Sequence, residues 1–163
     1  MTEEETFQAE LVKQFPFLDG HVRIQRIRRV WVDVPQDRFA EVLDYVAKTM
    51  KVAYLASITG LDLGESLGLI YHLARTGGMV LNLSTSVPKA KPVVQTVTGL
   101  FPAADCYERE VVDLLGFQVE GLPEGPRYPL PDNWPAGQYP LRKDWNPASL
   151  ASPPAGDGGK SHG

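Results

Sequence analysis

The chain has 163 residues, 43% hydrophobic and 22% charged, which is enough apolar material for one core and excludes a compositionally disordered chain. Its 16 basic and 20 acidic residues leave a net charge of −4, the wrong sign for a global nucleic-acid binder. One cysteine, Cys106, and three scattered histidines (His21, His72, His162) exclude an internal disulfide framework and any all-cysteine zinc or iron–sulfur site made within the chain.

The acidic start, MTEEETFQAE, reads as neither a signal peptide nor a transit peptide, and no run reaches the ~20 apolar residues of a membrane helix. A soluble cytoplasmic protein is the expectation. Residues 4–14 predict a short helix with Phe7 and Leu11 on one side, ended by Pro16. From Val22 to Val34 the pattern turns to β, with Val30, Val32 and Val34 alternating with Trp31 and Asp33. Arg23, Arg26, Arg28 and Arg29 cluster there; charge protecting an edge strand is the simplest reading, and docking on an acidic protein face also fits.

After Pro35, Phe39, Val42, Leu43, Val46 and Met50 form one apolar stripe and predict a helix over about 36–50. Three strands follow: Val52–Ile58, a run around Leu67–Leu73, and one around Leu81–Leu83. The last two are joined by a hairpin turn at Arg75-Thr76-Gly77-Gly78. Thr59–Ser66, with Gly60, Asp62 and Gly64, reads as a loop. This order predicts an α+β fold, a mixed or antiparallel sheet covered by helices on one face.

Pro102 opens a further helix and Gly116 ends it. Ala104, Tyr107, Val111, Leu114 and Leu115 share its apolar arc, while Asp105, Arg109 and Asp113 form a charge ladder on the other side. Glu108 stands at the margin of the arc. Either it is buried and clasped by Arg127 or Arg142, or it snorkels to solvent. Beyond Gly116 the spacing of prolines rules out long regular elements, yet Tyr128, Leu130, Trp134, Tyr139, Leu141 and Trp145 are large and apolar. The expected organisation is an α+β domain over 1–117, an extended arm over 118–145 and a flexible tail over 146–163.

No catalytic constellation emerges. G-x-S-x-G, G-x-G-x-x-G and H-E-x-x-H are all absent. Gly159-Lys160-Ser161 echoes a phosphate loop, but Pro154 stands where its first glycine belongs. His72 reads as a sheet-surface histidine and Cys106 as an idle or packed thiol.

Two words in order, Glu108-Arg109-Glu110-x-x-Asp113-x-x-Gly116-Phe117 and Trp134-x-x-Gly137-x-x-Pro140-Leu141-Arg142-Lys143-Asp144, resemble the signature of the 30-kDa subunit family of respiratory complex I. Thr59-Gly60-x-Asp62 and Phe101-Pro102-Ala103-Ala104 are similar to the same family, so the resemblance runs over roughly residues 30–145. The Gly-His-Pro usual in respiratory members is Gly121-Leu122-Pro123 here, followed by Arg127-Tyr128, which looks more like the branch found in membrane-bound, energy-converting nickel–iron (NiFe) hydrogenases.

The resemblance implies an α+β domain whose C-terminal arm wraps a neighbouring subunit, and a non-catalytic assembly role. It implies no cofactor in this chain, with the NiFe centre and iron–sulfur clusters held by partners. Those partners would be a large NiFe-type or quinone-site-type subunit and a small iron–sulfur subunit, with no nucleic acid and with the membrane reached only through the complex, at its cytoplasmic face. Glu108, Arg109, Glu110, Asp113, Gly116, Arg127, Trp134, Tyr139, Pro140, Leu141, Arg142, Lys143 and Asp144 then read as assembly residues. Within that set Glu108 and Arg142 would clasp, the Arg109/Asp113 ladder would stay solvated or meet a partner, and Trp134, Tyr139 and Leu141 would anchor the arm.

Overall fold

Thr2 and Glu5 form a reciprocal capping box that starts α1 (Glu3–Gln14), whose Phe7 and Leu11 enter the core. The structure, a computed structural model, describes residues 1–150. The expected tail from 151 on, with its Gly159-Lys160-Ser161, lies outside the described residues. Of that tail, Pro147–Leu150 form a 3₁₀ turn.

β1 (Val22–Arg26) and β2 (Arg29–Asp33) form a hairpin. α2 (Phe39–Lys48) follows a 3₁₀ turn and buries the predicted stripe of Phe39, Val42, Leu43 and Val46. β3 (Tyr54–Asp62), β4 (Ser66–Ala74) and β5 (Val80–Pro88) then run as an antiparallel meander. The five strands are ordered β1-β2-β5-β4-β3, with β2 and β5 parallel, so the sheet is mixed. Leu67, Leu69, Tyr71, Leu73, Leu81 and Leu83 face the helices and are at most 2% exposed. Tyr71 packs on Phe39 of α2, with ring centroids 4.8 Å apart.

The opposite face carries polar residues in a cross-strand ladder. The His72 ring nitrogens lie 2.8 Å from Thr59 Oγ1 and 2.8 Å from Asn82 Oδ1, which satisfies the sheet-surface histidine. Two expectations are corrected. Thr59–Asp62 is not a loop but the second half of β3, and only residues 63–65 turn. Regular structure also resumes after Gly116, because β7 (Gln118–Glu120) pairs in parallel with β6 (Val93–Gln95). Both strands are three residues long, too short for an alternation pattern to register.

α3 (Ala104–Leu115) lies across β3 and is closed by Gly116 at φ 78°, a left-handed cap. The close approach of helix to strand depends on Gly60. A methyl group there would stand 2.4 Å from Leu115 Cδ1 and 3.1 Å from Val111 Cγ1. Tyr107 of α3 adds a hydrogen bond from its hydroxyl to the Ala56 carbonyl, 2.8 Å. Gly60→Ala is expected to destabilise by about 1–3 kcal/mol through overpacking, read as a lower denaturant midpoint at unchanged slope. A neutral result would mean that α3 rides on β3 more loosely than this packing implies.

Candidate functional site

The arm lies on the chain's own α3, so the helix is held between the sheet and the arm. Three carboxylates on α3 and β3 organise this region, each in a different way.

Glu108 is 2% exposed and points inward. Its Oε1 accepts the Val97 N–H at 2.7 Å and its Oε2 the Thr96 hydroxyl at 2.6 Å. Burial pushes its carboxyl above the usual range, and these two donors partly oppose that shift. The clasp expected between Glu108 and Arg127 or Arg142 is therefore replaced by a bond to the loop before α3, and snorkelling to solvent does not occur. Replacing Glu108 by Ala leaves the Val97 N–H buried without an acceptor, whereas Thr96 keeps Thr98 as a partner. The expected cost is about 1–3 kcal/mol in chemical denaturation, with Glu108→Gln losing less.

Asp113 is the arm's attachment point and is 7% exposed, so it is not part of a solvated ladder. Arg127 Nε donates to its Oδ1 at 2.9 Å and the Leu130 N–H to its Oδ2 at 3.1 Å. Arg127 also reaches the Trp134 carbonyl at 3.0 Å, and Trp134 Nε1 donates to the Gln138 carbonyl at 2.8 Å. Arg109 makes the expected i, i+4 pair with Asp105, at 3.0 and 2.9 Å, and its other donor takes the Pro123 carbonyl. The bidentate guanidinium holds the Asp105 carboxyl below the ordinary range.

The C-terminus of α3 is capped by the second family word. The Leu141 N–H donates to the Leu114 carbonyl at 3.0 Å and Arg142 Nε to the Leu115 carbonyl at 2.7 Å, so a cation sits on the negative end of the helix. The Arg142 guanidinium lies 4.6 Å above the Tyr139 ring. Gly116 makes room for both, since a Cβ there would stand 2.6 Å from the Tyr139 ring and 2.8 Å from Arg142 Nη2. Trp134 and Tyr139 are half-buried, as is Pro140, but the Leu141 side chain is 57% exposed. Leu141 anchors the arm with its backbone, not with the desolvated side chain expected of it.

Asp62, at the end of β3, ties down the last part of the arm. Its Oδ1 accepts the Gly64 N–H at 2.9 Å, and its Oδ2 accepts Lys89 Nζ and the Lys143 N–H, both at 2.8 Å. Lys89 also reaches Asp144 at 3.1 Å. The Lys89 ammonium and the two backbone donors hold the Asp62 carboxyl far below the usual carboxylate range. Sequence reasoning quoted Asp62 but gave it no role; the signal was the word Thr59-Gly60-x-Asp62, one position for helix contact and one for the arm. Among the described residues, Glu110 is the one carboxylate of the Glu108-Arg109-Glu110 word with no hydrogen-bond or ion-pair partner. It stands at a hollow of about 180 Å³ also lined by Ile58, Thr59, Leu114 and Leu141.

Residues 32–150 match the family described as respiratory-chain NADH dehydrogenase, 30 kDa subunit. The chain belongs to this family. It is 28% identical to the membrane-bound hydrogenase subunit beta of Pyrococcus furiosus, over 88% of this chain and 87% of that one. It is 30% identical to a subunit of the F(420)H(2) dehydrogenase of Methanosarcina mazei, over 86% of this chain and 90% of that one. The fold superposes with a TM-score of 0.81, at 26% identity and covering 92% of this chain and 89% of the other, on a chain from the structure of the membrane-bound sulfane sulfur reductase, an archaeal respiratory membrane complex. The α+β fold expected from sequence is thus also that of its relatives.

Set against the family's words, the geometry divides their residues by task. Gly60 and Gly116 clear space, Asp62, Asp113, Arg127 and Arg142 bind the arm, and Glu108 fixes the loop ahead of α3. Among the described residues no three His, Cys, Asp or Glu side chains gather as a metal ion would require. No described helix is long and apolar enough to cross a membrane.

Proposed function

We propose that this chain is a non-catalytic structural and assembly subunit in the hydrophilic part of a membrane-bound, energy-converting NiFe hydrogenase-type complex, where it contacts the large subunit. The observation that carries this reading is the near end-to-end match to a membrane-bound hydrogenase subunit, at 88% of this chain and 87% of that one. Leu122, in the place of the family's usual histidine, points the same way. The NiFe centre and iron–sulfur clusters then belong to the large subunit and a small iron–sulfur subunit. The chain sits peripherally on the cytoplasmic face, held to the membrane through the complex.

The arm's geometry supplies the contact surface. Its inward groups are spent on α3 and β3, which leaves Tyr128 at 46% and Leu141 at 57% exposure, with Glu110 unpartnered beside Leu141. Exposed apolar side chains held on a rigid backbone, next to a free carboxylate, suit a preorganised protein interface. The second reading is the equivalent 30-kDa subunit of an NADH–quinone oxidoreductase, favoured by the family's own description. A stand-alone acid/base enzyme fits poorly, since both Glu108 oxygens and both Asp113 oxygens are occupied by structural donors.

Native affinity purification from solubilised membranes, with the tagged full chain as bait, tests this. A large subunit bearing two nickel-ligating cysteine pairs is the expected companion. A large subunit lacking them, together with flavin and NADH-binding subunits, would move the chain to the second reading. Recovery of the chain alone would overturn both. Arg142→Ala in the same experiment should weaken co-purification more than it lowers the unfolding midpoint.

A further inference from the structure

The edge of the sheet farthest from α3 and the arm carries a second surface. β1 and β3 are the two outer strands, so the β1–β2 turn and the arm lie at opposite sheet edges. Ile27 at this turn is 85% exposed and Ile24, on β1, is 38% exposed. Arg26, Arg28 and Arg29 surround Ile27. Among the described residues none of these three guanidinium groups lies within ion-pair distance of a carboxylate, whereas Arg23, farther down β1, is paired with Asp33 at 2.9 Å. In a chain of net charge −4, three free guanidinium groups thus fall within four residues.

The tip is also rigid. Glu4 of α1, 6% exposed, accepts the Arg28 N–H, and the Val80 N–H donates to the Arg28 carbonyl at 2.8 Å. Arg28 is held at φ 61°, a left-handed conformation that glycine adopts far more readily than arginine. Arg26, Ile27, Arg28, Arg29, Gly78 and Val80 line a shallow hollow of about 490 Å³. Protection of an edge strand accounts for arginines on β1, but not for an isoleucine at the tip or for a strained arginine in the turn.

We propose that the β1–β2 tip is a second docking surface, and that it takes an acidic segment, bearing an apolar contact for Ile27, on another subunit of the same complex. This rests on the subunit reading above and extends it, because the chain then bridges two partners from opposite edges of one sheet. Guanidinium forks match carboxylates in pairs, and an apolar anchor ringed by arginines has the composition of an interface hot spot. Three free cations fall short of the four to eight that make a polybasic lipid-binding segment, so a protein is the better fit than an anionic membrane.

The test places the photo-crosslinker p-benzoylphenylalanine at position 27 of the full chain, within the purified complex, and identifies the captured peptide by mass spectrometry. The expected result is a net-negative segment of a subunit other than the one the arm contacts. The double variant Arg26→Glu/Arg29→Glu should cut that crosslink, and retention of that subunit, about tenfold or more while the arm-side partner stays bound. A neutral or basic peptide, a lipid adduct, no adduct, or a crosslink indifferent to charge reversal would each overturn the proposal. If the complex assembles and only the tip captures nothing, this inference alone fails; if the unmodified chain purifies with no partner, the subunit reading fails with it.

Discussion

Asp113→Ala is expected to free the arm while leaving the sheet folded. The substitution removes the acceptor of Arg127 and of the Leu130 N–H together. Stripping one partner from a buried ion pair costs about 3–5 kcal/mol. The lower end applies here, about 3 kcal/mol, because Arg127 retains 27% exposure and can rehydrate. The loss should be local, since the described ties of residues 127–142 run to α3 and to one another, while β4 and β5 are held by their own ladders. Hydrogen exchange should rise across residues 127–142, and Trp134 and Trp145 fluorescence should shift toward that of solvated indole, with β4 and β5 amides still protected. Asp113→Asn keeps an acceptor oxygen and should fall between wild type and Ala. Unchanged exchange in the arm would show that the ion pair is incidental to its placement.

The parts of this fold that were legible in the sequence are those written by periodicity or by a backbone exception. The stripe from Phe39 to Val46 fixed α2, the alternation of Val30, Val32 and Val34 fixed β2, and Gly116 marked the end of α3. β3 was cut short because Gly60 and Asp62 are turn residues by propensity. The strand tolerates them for tertiary reasons, a helix that needs the space and an arm that needs the carboxylate. Glu108 illustrates a different limit. That a carboxylate beside the apolar arc must find donors is elementary, but its donors are a backbone N–H and a threonine hydroxyl from the preceding loop, and neither carries a sequence signature. Reasoning from charge alone sent Glu108 to the arginines of the arm. Those arginines instead serve Asp113 and the carbonyl of Leu115.

The same misassignment explains why the Asp105, Arg109, Asp113 ladder looked solvated. A helical wheel divides residues into a face toward the core and a face toward water. It has no place for a chain segment that returns over the outer face. Arg109 is tied to the Pro123 carbonyl and Asp113 is covered, so both faces of α3 are engaged within this one chain. An arm fixed in this way reaches a partner already ordered, which removes part of the conformational entropy that binding would otherwise cost. The arm proposed to meet a partner subunit is thus a rigid ledge built on α3.

Acid should release the end of that ledge before it unfolds the core. Asp62 is depressed far below the usual carboxylate range by Lys89 and by the N–H groups of Gly64 and Lys143. For a group depressed in the folded state, the stabilisation is complete above the unfolded pKa, about 3.9, and is lost as pH falls below it toward the folded value. Asp144, also lowered by Lys89, acts in the same direction. Glu108 has the opposite sign. Its carboxyl is raised by burial, so its effect is a loss of stability as pH rises from about 4.3 toward its folded value. The two windows lie on opposite sides of pH 4, and this separates the arm from the core. A titration of arm tryptophan fluorescence should therefore move only below about pH 3.9, while far-ultraviolet circular dichroism persists. Asp62→Asn removes the charge that Lys89 needs and should cost about 3–5 kcal/mol of attachment, reproducing the acid-released spectrum at neutral pH. Had the Lys89–Asp62 pair no part in holding residues 143–145, the variant would titrate like wild type and keep its tryptophans docked.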